Sequence, residues 1–122
     1  MQWTGKWRNQ YGSLITIVHE GGDRIGGYFE TALPDSGFFG QTVPIIGVAR
    51  GDCIAFSSVG AGTAGDMVVS YTGLMRDGRM ETMWYFVGAE TVEATGARSP
   101  TPWWKAVIAN ADTFERVPTT DG

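Results

Sequence analysis

Asn9 and Ser13 stand four residues apart, either side of Tyr11-Gly12, in the stretch WTGKWRNQYGSL spanning residues 3 to 14. Two small hydrogen-bonding side chains beside Trp3 and Trp7 are the kind of group that fixes one polar atom of a small molecule against an aromatic wall. They serve equally as turn and strand-start residues, because Asn and Ser bond nearby backbone in turns. Other chemistry is thinly supplied. His19 is the only histidine and Cys53 the only cysteine. His19 precedes Glu20-Gly21-Gly22 and reads as a solvated strand-end residue, and neither a catalytic triad nor an HExxH zinc site is spelled out. A lone cysteine excludes an intrachain disulfide and a Cys-based zinc site, so Cys53 reads as a small apolar strand residue. Glu30, Asp66, Glu81 and Asp112 are the inventory for paired-carboxylate chemistry, yet no spacing singles out two of them. No Gly-rich phosphate loop joins a helix, and Arg50-Gly51-Asp52 marks a turn before a strand. The sequence points to no metal site and no catalytic residues.

Aromatic residues carry more information. Trp7, Phe29, Phe56, Tyr71, Trp84 and Trp104 are spread over six predicted strands instead of forming one stripe. Large apolar walls with a few polar groups make a small-molecule pocket, and the same residues would also make an ordinary core.

Those residues need a scaffold. The chain has 122 residues, enough for one domain over 1–122 with its own core. Gly accounts for 18 residues and Trp for 5, charged residues for only 18%, and no apolar run approaches the length of a membrane helix. This composition reads as a soluble all-β chain. A net charge of −4, with no Lys/Arg cluster longer than a pair, makes nucleic acid and anionic membranes poor partners. Turn signals recur at Tyr11-Gly12, Gly21 to Asp23, Pro34 to Gly37, Arg50 to Asp52, Gly60 to Asp66, Asp77-Gly78 and Gly96 to Pro102. Between them, runs such as Ser13–Val18, Met67–Tyr71 and Thr82–Val87 are rich in β-branched and aromatic residues. Asp77-Gly78 suits a type I′ hairpin. The predicted strands are roughly 4–9, 13–20, 24–32, 38–42, 45–58, 67–75, 80–88 and 103–116. Trp103 to Ala111 has some helical character, outweighed by Val107, Ile108 and Thr113-Phe114. Short sequential connections favour a meander, and eight strands close into a barrel able to hold one small ligand without exposed edges.

The motifs TGKWRNQYGS (4–13), GGYFETAL (26–33), YTG (71–73), TMW (82–84) and WKAVIANADTF (104–114) resemble the avidin/streptavidin family, in the family's order along the whole chain. The resemblance implies an eight-stranded antiparallel up-and-down barrel binding biotin inside, without catalysis and with no cofactor. By resemblance, Asn9 and Ser13 meet the ureido oxygen, Thr31 one ureido nitrogen and Asp112 the other. Trp84 becomes a pocket wall, Tyr71 stands where the family puts Trp or Phe, and Trp104 matches a lid reaching the pocket of a neighbouring subunit. Trp7, and Trp3 less directly, would fill the barrel base. A further family tryptophan falls at Phe56 or at Gly60, and strand parity turns Phe56 inward in either case.

The chain departs from the family where Phe29 replaces a tyrosine donor and where Met67 and Val69 replace hydroxyls near the ligand's carboxylate and ring sulfur. These losses imply weaker biotin binding than in the tightest members. They also keep open a barrel holding a different cyclic amide or apolar metabolite, while a non-metal barrel cyclase using Asp112 or Glu30 is a third reading. Strand parity that turns Trp84 inward places Met83, Tyr85 and Val87 outside, and Val68 beside them, an apolar band expected to be covered in a homo-oligomer, dimer or tetramer. No signal peptide precedes the first strand, so a cytoplasmic location or a trimmed leader are both open from the sequence. The resemblance favours a secreted or periplasmic protein.

Overall fold

In a computed structural model describing residues 1–32, 42–62 and 65–118, eight antiparallel strands close into a barrel. The elements run β1 (Gly5–Asn9), β2 (Leu14–Gly21), β3 (Arg24–Glu30), β4 (Thr42–Arg50), β5 (Cys53–Gly62), β6 (Gly65–Arg76) and β7 (Arg79–Gly88). A separate two-stranded hairpin follows, β8 (Glu90–Val92) with β9 (Arg98–Pro100), then a four-residue helix α1 (Trp103–Ala106), then β10 (Val107–Arg116). Strands β1 to β7 pair in sequence, and β10 lies between β7 and β1 to complete the ring.

Period-two alternation builds this ring. On β6, Met67, Val69 and Tyr71 are buried while Val68 and Thr72 face out; on β2, Ile15 and Ile17 are buried. Inward residues from every barrel strand form one continuous core, with Trp84, Phe86 and Met75 half-buried against it. At Gly27 the β2 and β3 backbones come so close that an added Cβ would lie 1.8 Å from the Thr16 carbonyl oxygen, and φ is +135°. Only glycine tolerates that combination.

One end of the barrel is closed by the chain's own N-terminal residues. Trp3 and Trp7 are fully buried with ring centroids 6.1 Å apart. The Trp7 indole donates to the Trp3 carbonyl at 2.9 Å, and the Trp3 indole to the Gly51 carbonyl at 3.1 Å. The Arg116 guanidinium lies 4.2 Å over the Trp7 ring and donates to the carbonyls of Thr4 and Gln2. The β2–β3, β4–β5 and β6–β7 turns share this floor. The β1–β2 turn and the connection from β7 to β10 lie at the opposite end.

Several element boundaries differ from the sequence expectation. The run 45–58 is two strands, because the chain reverses at Gly51-Asp52 and Arg50 pairs with Cys53. Thr42 opens β4, whereas residues 38–41 of the expected strand 38–42, and the expected Pro34–Gly37 turn, lie outside the described residues. The β5–β6 ladder extends into the expected Gly60–Asp66 turn region, through Ala61↔Asp66 to Gly62↔Gly65, and residues 63 and 64 lie outside the described residues. The Gly96–Pro102 turn region contains β9, and 103–116 begins as helix before turning to strand at Val107. Cys53 opens β5 and is exposed.

Candidate functional site

The spacing of Asn9 and Ser13 has a local cause. Asn9 N donates to the Ser13 carbonyl at 3.0 Å, closing a three-residue loop over Gln10, Tyr11 and Gly12. Gly12 supplies the φ of +88° this reversal requires. The Asn9 carboxamide oxygen then accepts from the backbone nitrogens of Tyr11 and Ser13, at 3.0 and 2.9 Å. That fixes the amide so its nitrogen donates to Asp112 Oδ2 at 3.2 Å. Asn9 and Asp112 are 7% and 5% exposed, so this is a buried, charge-assisted hydrogen bond.

Ser13 is fully buried. Its hydroxyl accepts from Ala32 N at 2.9 Å and donates to Thr31 Oγ1 at 3.4 Å, just beyond the end of β3. Asn9, Ser13, Thr31 and Asp112 therefore come together as one hydrogen-bonded arc spanning β10, β1, β2 and the end of β3. The arc lies towards the end of the barrel opposite the tryptophan floor.

Two residues that sequence reasoning missed hold Asp112. Gln10 extends the β1–β10 pairing past the strand end with its side chain. Its amide nitrogen donates to Ala111 O and to Asp112 Oδ1, and its oxygen accepts from Thr113 N. Thr82, buried on β7, donates to the Asp112 backbone carbonyl at 2.8 Å. The signal for Gln10 was its place beside Asn9. Thr82 needed the β7–β10 register. Ser58 was missed too: it is a buried hydroxyl on β5, paired in register with Val69.

The rest of the interior is apolar and aromatic. Tyr71 stacks on Phe56 with centroids 4.8 Å apart and lies 6.2, 6.4 and 6.1 Å from Phe29, Trp84 and Phe114. Phe29, Phe56, Val69 and Met67 are buried. Phe56 faces inward, as parity required, and forms a second ring behind Tyr71. Burial first, and the Asp112 charge second, push the Tyr71 hydroxyl well above the usual phenol range, so it carries its proton at neutral pH. Trp84 is half-buried, and its indole N–H is sealed among the described residues without a hydrogen-bond partner.

Trp104 is not brought to this interior. It is 76% exposed on α1, as is Trp103, with the Lys105 ammonium 4.8 Å over its ring. Among the described residues no group of three or more His, Cys, Asp or Glu is arranged to hold a metal ion. What the arrangement can do is bind: a polar arc of fixed donors and acceptors lies beside a buried aromatic interior.

A family model described as the Avidin family matches residues 1–117. A search of the curated proteins finds no match. Among solved structures, a rhizavidin–biotin complex is 22% identical, covering 98% of this chain and 95% of its own, with a TM-score of 0.73. A bradavidin2–biotin complex is 21% identical over 93% and 95%, with a TM-score of 0.70. A biotin complex of short afifavidin is 24% identical over 94% and 89%, with a TM-score of 0.71. At these identities the likeness establishes the fold.

Proposed function

The chain belongs to the avidin family, and on that premise we propose that it binds biotin inside the barrel without catalysing a reaction. The observation that carries this reading is the hydrogen-bonded arc of Asn9, Ser13, Thr31 and Asp112 in an otherwise aromatic interior. Asn9 and Ser13 address the ureido oxygen, and Thr31 and Asp112 the two ureido nitrogens. The ionised Asp112 carboxylate can only accept, which suits an N–H donor. Phe29, Phe56, Val69, Tyr71 and Trp84 supply apolar contact to the bicyclic ring. A ligand atom entering the arc finds groups already oriented by protein hydrogen bonds, so little ordering cost falls on binding.

The functional assembly is a homo-oligomer, at least a dimer. Val87, Val68 and Val59 are register neighbours across β7, β6 and β5, exposed by 37%, 43% and 63%, with Met83 and Tyr85 beside them at 51% and 53%. Such a contiguous apolar band favours a second subunit over water. Trp104, projecting from α1, then closes the partner's pocket.

Titrating the protein with biotin while following tryptophan fluorescence and heat tests the reading. Saturable binding at one site per chain is expected, weakened by a factor on the order of 10 to 1,000 in Asn9→Ala and in Asp112→Ala. Unchanged binding in both variants would place the ligand elsewhere. A second reading, a different cyclic amide or an apolar metabolite, is favoured by Phe29, Met67 and Val69, which make this side of the pocket apolar. Phe29→Tyr distinguishes the two: tighter biotin binding supports the first, and weaker binding by a folded variant supports the second.

A further inference from the structure

On one side β10 outlasts its neighbour. It pairs with β7 from Val107↔Val87 to Glu115↔Arg79, but with β1 only at Phe114, Glu115 and Arg116, because β1 stops at Asn9. Residues 107–113 therefore present a strand edge to the gap beyond β1. Side-chain amides occupy part of that edge. Thr113 N donates to Gln10 Oε1 at 3.0 Å, and Gln10 Nε2 donates to the Ala111 carbonyl at 3.3 Å. Ala111 N donates to Asn110 Oδ1 at 2.8 Å. Backbone groups alternate in direction along an antiparallel strand, so Asn110 and Asp112 turn theirs to β7, while Ala109 shares the open edge with Ala111 and Thr113. Among the described residues no side chain caps Ala109.

An unpaired edge of this length, with the sequence VIANADT, is a template on which another chain can add. We propose that Gln10 and Asn110 stand in for a missing strand, and that their amides keep an extended segment of a second copy from pairing along β10. Local structure does not otherwise call for either amide. The β1–β2 turn is held by Asn9 and Gly12, and asparagine is a poor strand former in mid-strand. Gln10 Nε2 also donates to Asp112 Oδ1 at 3.2 Å, so a strand added at Ala111 and Thr113 would displace a group that holds the polar arc. The block follows from strand pairing and is independent of the biotin reading.

Residue-resolved hydrogen exchange on the parent chain, Gln10→Ala and Asn110→Ala tests the caps. In the parent, the Ala111 and Thr113 amides should exchange at least about tenfold more slowly than the Ala109 amide, relative to their intrinsic rates. Gln10→Ala should speed Thr113 by about tenfold and Asn110→Ala should do the same to Ala111, while the Asp112 amide, turned to β7, keeps its rate. Equal protection at the three edge amides of the parent, or uniform acceleration along β10 in the variants, would overturn the proposal. The consequence is read by light scattering and thioflavin T at micromolar concentration. Gln10→Ala combined with Asn110→Ala should give particles larger than the parent's that grow with time and bind the dye. Parent-sized particles without dye binding, with Asp112 still protected, would overturn the block. Where the double variant loses that protection, the same scattering comparison on Gln10→Ala alone decides.

Discussion

Replacing Asn9 by aspartate exchanges one amide nitrogen for an oxygen at the most constrained point of the polar arc. The retained oxygen can still accept from Tyr11 N and Ser13 N, so the β1–β2 turn survives. The new oxygen would face Asp112 Oδ2 at the 3.2 Å now spanned by a hydrogen bond. Two full charges at that distance repel by about 5 kcal/mol at an effective dielectric of about 20, a ceiling that relaxation will reduce. The pair can escape by sharing one proton, so the folded variant holds a proton that the unfolded chain releases near pH 4. The pair's folded-state pKa is thus raised. Stability is fully retained below about pH 4 and falls by about 1.4 kcal/mol per unit as pH rises towards the pair's own pKa. Asn9→Ala instead loses three hydrogen bonds and should cost about 2–4 kcal/mol even at pH 4. Urea unfolding followed by tryptophan fluorescence at pH 4, 5.5, 7 and 8.5 would separate these behaviours. If Asn9→Asp tracked the parent within about 0.5 kcal/mol across that range, the buried contact between positions 9 and 112 would be refuted.

Tyr71 makes a prediction of opposite reach in pH. Its raised pKa means that above the ordinary tyrosine range the unfolded chain loses a proton the native chain keeps, so stability should decline by up to about 1.4 kcal/mol per pH unit there. Tyr71→Phe should remove that decline in alkaline melting curves. Gly27→Ala forces a Cβ to within 1.8 Å of the Thr16 carbonyl at a φ of +135°, and should cost at least about 3 kcal/mol in denaturant titrations. An unmoved midpoint would mean that β2 and β3 do not approach as described. Light scattering at micromolar concentration should give at least twice the 13.2 kDa chain mass, and Met83→Glu with Val87→Glu should shift the particle towards the monomer. A parent particle of one chain mass would remove the assembly and leave the barrel standing.

Strand parity explains why so much was legible. Once Trp84 is assigned to the interior, the exposure of Met83, Tyr85 and Val87 follows from the two-residue period along β7, while Phe56 was legible from parity on its own strand and Tyr71 from its place in the family motif; Phe56 and Tyr71 are buried. The four polar residues of the arc were legible as motif members. Their geometry was not, because it depends on partners distant in the chain: Asn9 meets Asp112 across 103 residues, and Gln10 and Thr82 hold Asp112 only once β10 lies between β1 and β7. Boundaries failed where composition gives no contrast. Val43 to Ser58 is rich in strand formers on both sides of Gly51-Asp52, so the turn signal there does not break the predicted strand 45–58, whereas the chain reverses between Arg50 and Cys53. The β8–β9 hairpin is three residues on each side, too short to show any period.

The floor of the barrel also decides where the first strand begins and the last one ends. Arg116 is bonded to the carbonyls of Gln2 and Thr4, and Val117 N donates to Lys6 O at 2.9 Å, so the beginning and the end of the fold meet at the sealed face. A protein fused after Val117 would hang from the side away from the polar arc. Joining the two ends for circular permutation would ask for only a short linker. The N-terminal side is less forgiving. Trimming the first four residues would take away Trp3, its bond to Gly51 and the acceptors of Arg116 together, exposing the buried core at that face.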